Sequence, residues 1–164
     1  MQTLEALKNR RSSRSFTKQP ITTELMEKII DCARLAPTAR NVQPWEFIAI
    51  TAQETLKKLG SIAENGSFIA ECNSCIAVFC SDTKYYLEDG CAATENILIS
   101  AAGLGVDSCW VAGDKKPYCE EVRQLLAVPA EYKLVSLIAL GYSAAAGQAA
   151  PKRALKEVLH WEKF

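Results

Sequence analysis

Five basic side chains stand close together near the start of the chain, between Ala6 and Thr23, where there is no acidic residue. They are Lys8, Arg10, Arg11, Arg14 and Lys18, with the hydroxyls of Ser12, Ser13 and Ser15 between them. Forked guanidinium donors next to small hydroxyls are suited to holding a phosphate group. The cluster therefore indicates a local anion site, although a solvated basic loop is the alternative on this segment alone.

A second group of polar side chains lies in the segment APTARNVQPWEF, residues 36–47. Two prolines stiffen it, while Thr38, Asn41 and Gln43 supply neutral donors and acceptors beside the flat face of Trp45. Such a set can hydrogen-bond the polar edge of a heterocycle without introducing charge. The alternative is an ordinary helix exit in which Asn41 forms a turn.

Two later segments could also carry chemistry. GLGVDSCWVAGD (103–114) places glycines on both sides of a tryptophan, but it does not follow a strand directly, so a dinucleotide-binding turn is not predicted. Lys152 and Arg153 form a second basic pair, for which an exposed helix start is the alternative. The spacing of Cys72 and Cys75 could suit a metal or disulfide chemistry, but there is no second cysteine pair and His160 is the only histidine, so no metal site is predicted.

Composition limits the classes of function. Lysine plus arginine and aspartate plus glutamate number 19 each in 164 residues, so no overall field favours nucleic acid or an anionic membrane. No apolar run approaches the ~20 residues of a membrane span, and the first residues do not resemble a secretory signal. Seven cysteines, an odd number and mostly in apolar segments, are typical of reduced thiols. We expect one domain, residues 1–164, in the cytoplasm.

The spacing of apolar residues predicts a mixture of helices and strands. Helices are expected at 3–9, 22–36, from a capping box at 51–54 to Gly60, at 85–104, and from Pro117 onward. Strands are expected at 45–51, 75–81, 106–113 and 133–142. Residues 143–164 begin with small side chains and end in apolar ones, which favours an extension lying on a second subunit.

Taken together, the order of four segments resembles the nitroreductase family of FMN-dependent oxidoreductases. They are RRSSRSF, APTARNVQPWEF, ENILISAAGLGVDSCWVAG, and GY followed by PKRALKEVLHW. The resemblance covers most of the chain from Leu4 to Trp161. The resemblance implies an α+β fold, a three-layer sandwich in which helices flank a mixed, largely antiparallel sheet. It also implies a domain-swapped homodimer that holds one FMN in each of two interface sites.

The resemblance further implies a role for each matching residue. Arg10, Arg11 and Ser12 would hold the FMN phosphate, and Lys152 and Arg153 would reach the same phosphate from the other end of the chain. Arg14 would be the catalytic residue, a fixed cation beside the N1 and C2 carbonyl edge, where reduced flavin carries negative charge.

The remaining matches concern a loop and a turn. Pro37, Thr38, Ala39, Asn41 and Gln43 would be presented to the flavin across the dimer interface, with Thr38 standing where the family commonly has serine. Trp110, Ala112 and Gly113 would line the cofactor, the backbone of the last two facing flavin N5.

The activity implied is ping-pong transfer of hydride from NAD(P)H through FMN to a small oxidised acceptor such as a nitroaromatic or a quinone. The same motifs would also serve dehalogenation, flavin cleavage or substrate oxidation, or an FMN-binding protein without turnover. Binding of nucleic acid is not expected, because few aromatic residues accompany the basic cluster.

Overall fold

Four antiparallel strands form the central sheet of the computed structural model, which describes residues 3–143, 145 and 150–164. The strands are β1 (Trp45–Ile50), β2 (Ser74–Ser81), β3 (Asp107–Ala112) and β4 (Tyr132–Gly141), in the order β1-β2-β4-β3. β2 and β4 occupy the middle and are buried along almost their whole length, as continuous apolar runs predict. The sheet is antiparallel throughout; the parallel pairing found in the described residues is an isolated bridge between Ser12 and Ser108.

Helices cover both faces of this sheet. The helices of the described residues are α1 (Thr3–Asn9), α2 (Thr23–Ala33), α3 (Gln53–Ile62), α4 (Tyr86–Gly103) and α5 (Cys119–Leu125). Short 3₁₀ turns occur at Ala39–Asn41, Ser67–Glu71 and Leu155–Glu157. Within the described part of the chain, no helix is both long enough and apolar enough to cross a membrane.

The core consists of two layers, one on each face of the sheet. Leu56 of α3 and Val122 of α5 are buried against Phe79 and Leu137 on one face. Ile29 of α2 and Ile97 of α4 are buried with residues of the other face, including Ile138. Helices, sheet and helices therefore form three layers, and the predicted α+β sandwich is confirmed.

α3 differs from its prediction at both ends. No side-chain hydrogen bond caps its start, where Ala52 occupies the N-cap position, so the expected capping box does not form. The helix also continues through Gly60 to Ile62. Gly60 is required by packing, because a Cβ there would lie 2.7 Å from the backbone nitrogen of Ala70. The glycine marks a close approach between backbones and does not end the helix.

The C-terminal segment follows a bridge between Phe16 and Ser143. Residues 144 and 146–149 of the predicted 143–164 extension lie outside the described residues. From residue 150 to 164 every side chain is exposed, although Leu155, Val158, Leu159 and Trp161 are large and apolar. This segment contributes no side chain to the core of its own chain.

Candidate functional site

The segment that follows α1 is fixed along the outer edge of β3. Ser12 pairs with Ser108 in the isolated bridge, and the Ser13 amide donates to the Ser108 carbonyl at 2.9 Å. The Ser13 hydroxyl is hydrogen-bonded to that of Ser143. Further along, the Thr17 amide donates to the Tyr142 carbonyl at 2.7 Å. These bonds attach the basic segment to the end of the sheet and set where its arginines lie.

Basic residues from both ends of the chain meet around one cavity of about 570 Å³. Its lining consists of Leu7, Lys8, Arg10, Arg11, Ser12, Arg14, Ala150 and Lys152. This set, the basic cavity, contains five cationic side chains and no acidic one. Converging cations raise the local concentration of anions. The structure thus brings Arg10, Arg11, Ser12, Arg14 and Lys152 together.

The arginines of the basic cavity have different partners. The Arg11 guanidinium donates to the carbonyl oxygens of Lys8 and Arg10 at 2.6 and 2.8 Å, which satisfies carbonyls at the end of α1. The Arg14 guanidinium lies 5.8 Å from the centre of the Phe68 ring, within the range of a cation–π contact. Phe68 thereby helps to orient Arg14, the residue that the sequence predicts to be catalytic.

Arg153 does not line the basic cavity. Its guanidinium donates to the Glu157 carbonyl at 2.7 Å and lies 3.9 Å from the Glu157 carboxylate. The predicted basic pair is therefore divided: Lys152 faces the cavity, whereas Arg153 is bonded within its own segment.

A buried thiol that the sequence did not single out lies beside the basic cavity. Burial raises the pKa of Cys109, although Arg14, Arg10 and a hydrogen bond with Ser12 oppose that rise. The thiol therefore stays neutral at neutral pH. In the sequence, only the alternation of side chains along β3 indicates this placement. Cys109 is next to Trp110 on the strand, so the two side chains point to opposite faces of the sheet.

The register between β3 and β4 decides which backbone amides face outward. The Gly113 amide donates to the Val135 carbonyl at 3.0 Å, so the alternating pattern points the amides of Ser108, Trp110 and Ala112 to the opposite edge. Gly113 is buried, and a Cβ there would lie 2.7 Å from Leu134 Cγ. Of the two predicted backbone positions, Ala112 alone directs its amide to the edge that carries the basic segment.

Side chains of α5 and its approach hold this turn in place. The Tyr118 hydroxyl donates to the Ala112 carbonyl, and the Cys119 thiol donates to the Gly113 carbonyl at 2.6 Å. The Trp110 side chain is half-buried and packs against the core layer beneath α2 and α4. The structure thus places the Trp110 side chain against that core layer and its backbone on the edge strand β3.

The loop at 36–44 lies away from the basic cavity of the same chain. Pro37, Asn41 and Gln43 have exposed side chains, and none of the loop residues lines the cavity as the structure describes it. The Thr38 hydroxyl accepts from the Gln43 amide at 3.2 Å, and the Ala39 amide donates to the carboxylate of Asp89 at 3.1 Å. Within one chain, the predicted cofactor residues of the loop therefore lie apart from those of the basic cavity.

Cys72 and Cys75 are both buried at the start of β2. Burial raises the pKa of Cys72 to about 11 and that of Cys75 well above its usual value. The Cys72 sulfur lies 3.1 and 3.0 Å from the carbonyl oxygens of Ile69 and Ser74. Thiols in such surroundings are protonated at neutral pH and pack as small hydrophobic residues.

Comparisons with known proteins agree with this architecture. The model of the nitroreductase family matches residues 7–71 and 81–142. A protein of Archaeoglobus fulgidus named as an NADH dehydrogenase/NAD(P)H nitroreductase is 35% identical over 147 residues, covering 85% of this chain and 84% of that protein. An FMN reductase (NADPH) of Bacillus subtilis is 26% identical over 182 residues, covering 96% and 72%.

A solved structure matches the whole arrangement of elements. An FMN-dependent nitroreductase of Clostridium difficile R20291 superposes with a TM-score of 0.93 at 27% identity. The match covers 98% of this chain and 99% of that one. The likeness therefore extends over both ends of the chain, including those that form the basic cavity.

Proposed function

Because the chain belongs to the nitroreductase family, we propose that it is an FMN-dependent NAD(P)H oxidoreductase that reduces a small oxidised acceptor. The observation that carries this proposal is the basic cavity, where Arg10, Arg14 and Lys152 converge from opposite ends of the chain. A cofactor with a terminal phosphate accounts for such a set of donors. The names of the similar proteins, an FMN reductase and an FMN-dependent nitroreductase, support the same cofactor.

The residues present fit FMN in charge and in the type of donors. Arg10, Arg11, Ser12 and Lys152 would hold the phosphate, since five cations with no carboxylate among them are best satisfied by an anion. Arg153, bonded to Glu157, would support the segment that carries Lys152. Bound FMN supplies the chemistry that accepts hydride from NAD(P)H and gives electrons to the acceptor.

Two groups of this chain would act on the flavin ring. Arg14 is a fixed cation, so placed beside the N1 and C2 carbonyl edge it would stabilise the negative charge that develops there. The Ala112 amide, directed to the outer edge of β3, would donate a hydrogen bond at N5. Gly113 would set the tight packing of the turn.

We propose that two copies of the chain complete each site as a cytoplasmic homodimer. The loop that carries Pro37, Thr38, Ala39, Asn41 and Gln43 lies away from the basic cavity of its own chain, so it would serve the cavity of the partner. The exposed apolar side chains of 155–161 also need a covering surface, which a partner would provide.

The acceptor that we propose is a nitroaromatic or a quinone, reduced in a ping-pong sequence. In this sequence NAD(P)H leaves before the acceptor enters, so both would use the same face of the flavin. The name of the Archaeoglobus fulgidus relative, NAD(P)H nitroreductase, supports this class of acceptor.

Gel filtration with light scattering tests cofactor and assembly together. Protein mixed with FMN or with riboflavin is separated from free flavin, and the mass and flavin absorbance of the protein peak are measured. We expect FMN to co-elute at twice the chain mass of 18.0 kDa, and riboflavin, which lacks the phosphate, to be lost. A monomer that retains FMN would contradict the shared site, and equal retention of riboflavin would contradict the phosphate role of the basic cavity.

A further inference from the structure

The loop at 38–43 has a backbone that needs support from outside. Arg40, Asn41 and Gln43 have φ angles of 55, 57 and 54°, in the left-handed region that residues with a Cβ rarely adopt. Within the loop, the Thr38 hydroxyl accepts from the Gln43 amide, and the Val42 amide donates to the Ala39 carbonyl at 3.2 Å. A conformation of this kind persists where the surrounding structure over-determines it.

Asp89 supplies the support from α4. Its side chain is 6% exposed, and its Oδ1 accepts the Ala39 amide at 3.1 Å. It lies in the first turn of an 18-residue helix, whose N-terminus stabilises a negative charge. The second oxygen, Oδ2, is sealed from solvent and has no hydrogen-bond partner among the described residues. Burying a carboxylate with one unpaired oxygen costs free energy of folding. We therefore expect its hydrogen bond to the loop backbone to have a role in the protein.

α4 is itself anchored, so it can act as a fixed reference for the loop. The Thr94 hydroxyl bonds to the Ser136 hydroxyl of β4 at 2.7 Å and donates to the Gly90 carbonyl at 2.8 Å. Asn96, seven positions after Asp89, donates to the Cys32 carbonyl near the end of α2 at 3.0 Å. Asp89 therefore holds the beginning of the loop, and Asn96 holds the end of α2. Both residues belong to α4.

We propose that Asp89 is a positioning residue of the flavin site. Its bond to the Ala39 amide fixes the loop so that Thr38, Asn41 and Gln43 are presented to the flavin. The proposal rests on the proposed function, because the loop matters to catalysis only if it meets FMN. The competing explanation is that Asp89 contributes to global stability alone.

The first test measures the loop without any cofactor. Trypsin cuts after Arg40, an exposed residue of the loop, and mass spectrometry of the 1–40 and 41–164 fragments gives the rate at that bond. We expect D89A to raise this rate about tenfold, because the substitution removes one charge-assisted hydrogen bond from the loop. D89N, which keeps a carbonyl oxygen for the Ala39 amide, should remain near the wild-type rate.

T94V is the matched control for a loss of stability. Thr94 is buried in the same helix, but its bonds go to Gly90 and Ser136 and not to the loop. We expect T94V to lower the denaturation midpoint without speeding cleavage at Arg40. If T94V and D89A speed cleavage equally at equal stability, Asp89 acts on stability alone and the proposal is wrong.

The second test measures FMN affinity by quenching of flavin fluorescence, with the visible circular dichroism of the bound flavin as a signature of its environment. D89A should weaken FMN about tenfold and change the dichroism, whereas D89N and T94V should preserve both. Should D89A not fold, A39P removes the same bond from the loop side and leaves α4 intact; Ala39 opens the 3₁₀ turn, where proline is tolerated.

The two tests separate failure of this inference from failure of the proposed function. If the wild-type protein binds FMN and D89A (or A39P) binds it equally well, with unchanged cleavage, Asp89 has no positioning role. If no variant binds FMN but D89A still exposes Arg40, Asp89 holds the loop and the proposed function is wrong.

Discussion

At the scale of single residues, the central feature is a set of five cations that share one cavity. Like charges repel one another, so an anion that joins them should stabilise the folded protein as well as bind to it. Arg14 differs from the others because the ring of Phe68 holds its guanidinium. We propose that its neighbours bind the phosphate and that Arg14 influences the reduction of the flavin.

The Arg14→Ala variant should separate these two roles. Removing a fixed cation from a site of developing charge should slow flavin reduction by about 10²-fold, while FMN affinity should fall less than about tenfold. Anaerobic single-turnover mixing with NAD(P)H measures the rate. Lys18→Ala is the control, because Lys18 bonds to Glu71 and does not line the basic cavity. An Arg14→Ala variant reduced at the wild-type rate would remove Arg14 from the mechanism.

Some residue roles could be predicted from the sequence and others could not. The convergence of Arg10, Arg14 and Lys152 follows from segments with a recognisable order. The orientation of Arg153 depends on a local bond to Glu157, and the use of the Gly113 amide depends on the register between β3 and β4. The first is a contact within one short segment whose side-chain choice the sequence does not reveal, and the second is a tertiary contact that no local pattern encodes.

At the scale of elements, the sheet and α4 provide the fixed frame. Apolar patterns, together with capping and proline signals, predicted each α-helix and strand of the described residues, because burial on one face leaves a regular pattern. The ends were less predictable: α3 continues past Gly60 because the glycine serves a backbone contact with Ala70. A glycine that ends a helix and one that admits a neighbour look the same in a sequence.

Two glycine-to-alanine substitutions test this interpretation of Gly60. Alanine favours a helix, yet G60A should destabilise the protein by about 1–3 kcal/mol, because its Cβ would meet the backbone of residues 67 and 70. G103A should stabilise it by up to about 1 kcal/mol, because there the nearest atom, Ala6 Cβ, is 3.8 Å away. Urea unfolding gives both values. A G60A variant as stable as G103A would show that α3 and the 67–71 turn are not in the close contact described.

At the scale of the whole molecule, the two ends of the chain meet at one site while the 36–44 loop stays apart. A cofactor that draws on all three requires either a large movement or a second copy of the chain. The exposed apolar residues of 155–161 favour the second copy. Local sequence patterns identified each segment, but only the arrangement in space shows which of them a single chain can bring together.

The most direct test of the account is an anaerobic absorbance titration of the FMN-reconstituted protein with NADH and, separately, with NADPH. We expect the visible flavin absorbance to bleach with one equivalent of the preferred donor per bound FMN and to return when a nitroaromatic or a quinone is added. Bound flavin that stays oxidised with both donors would contradict the proposed oxidoreductase function.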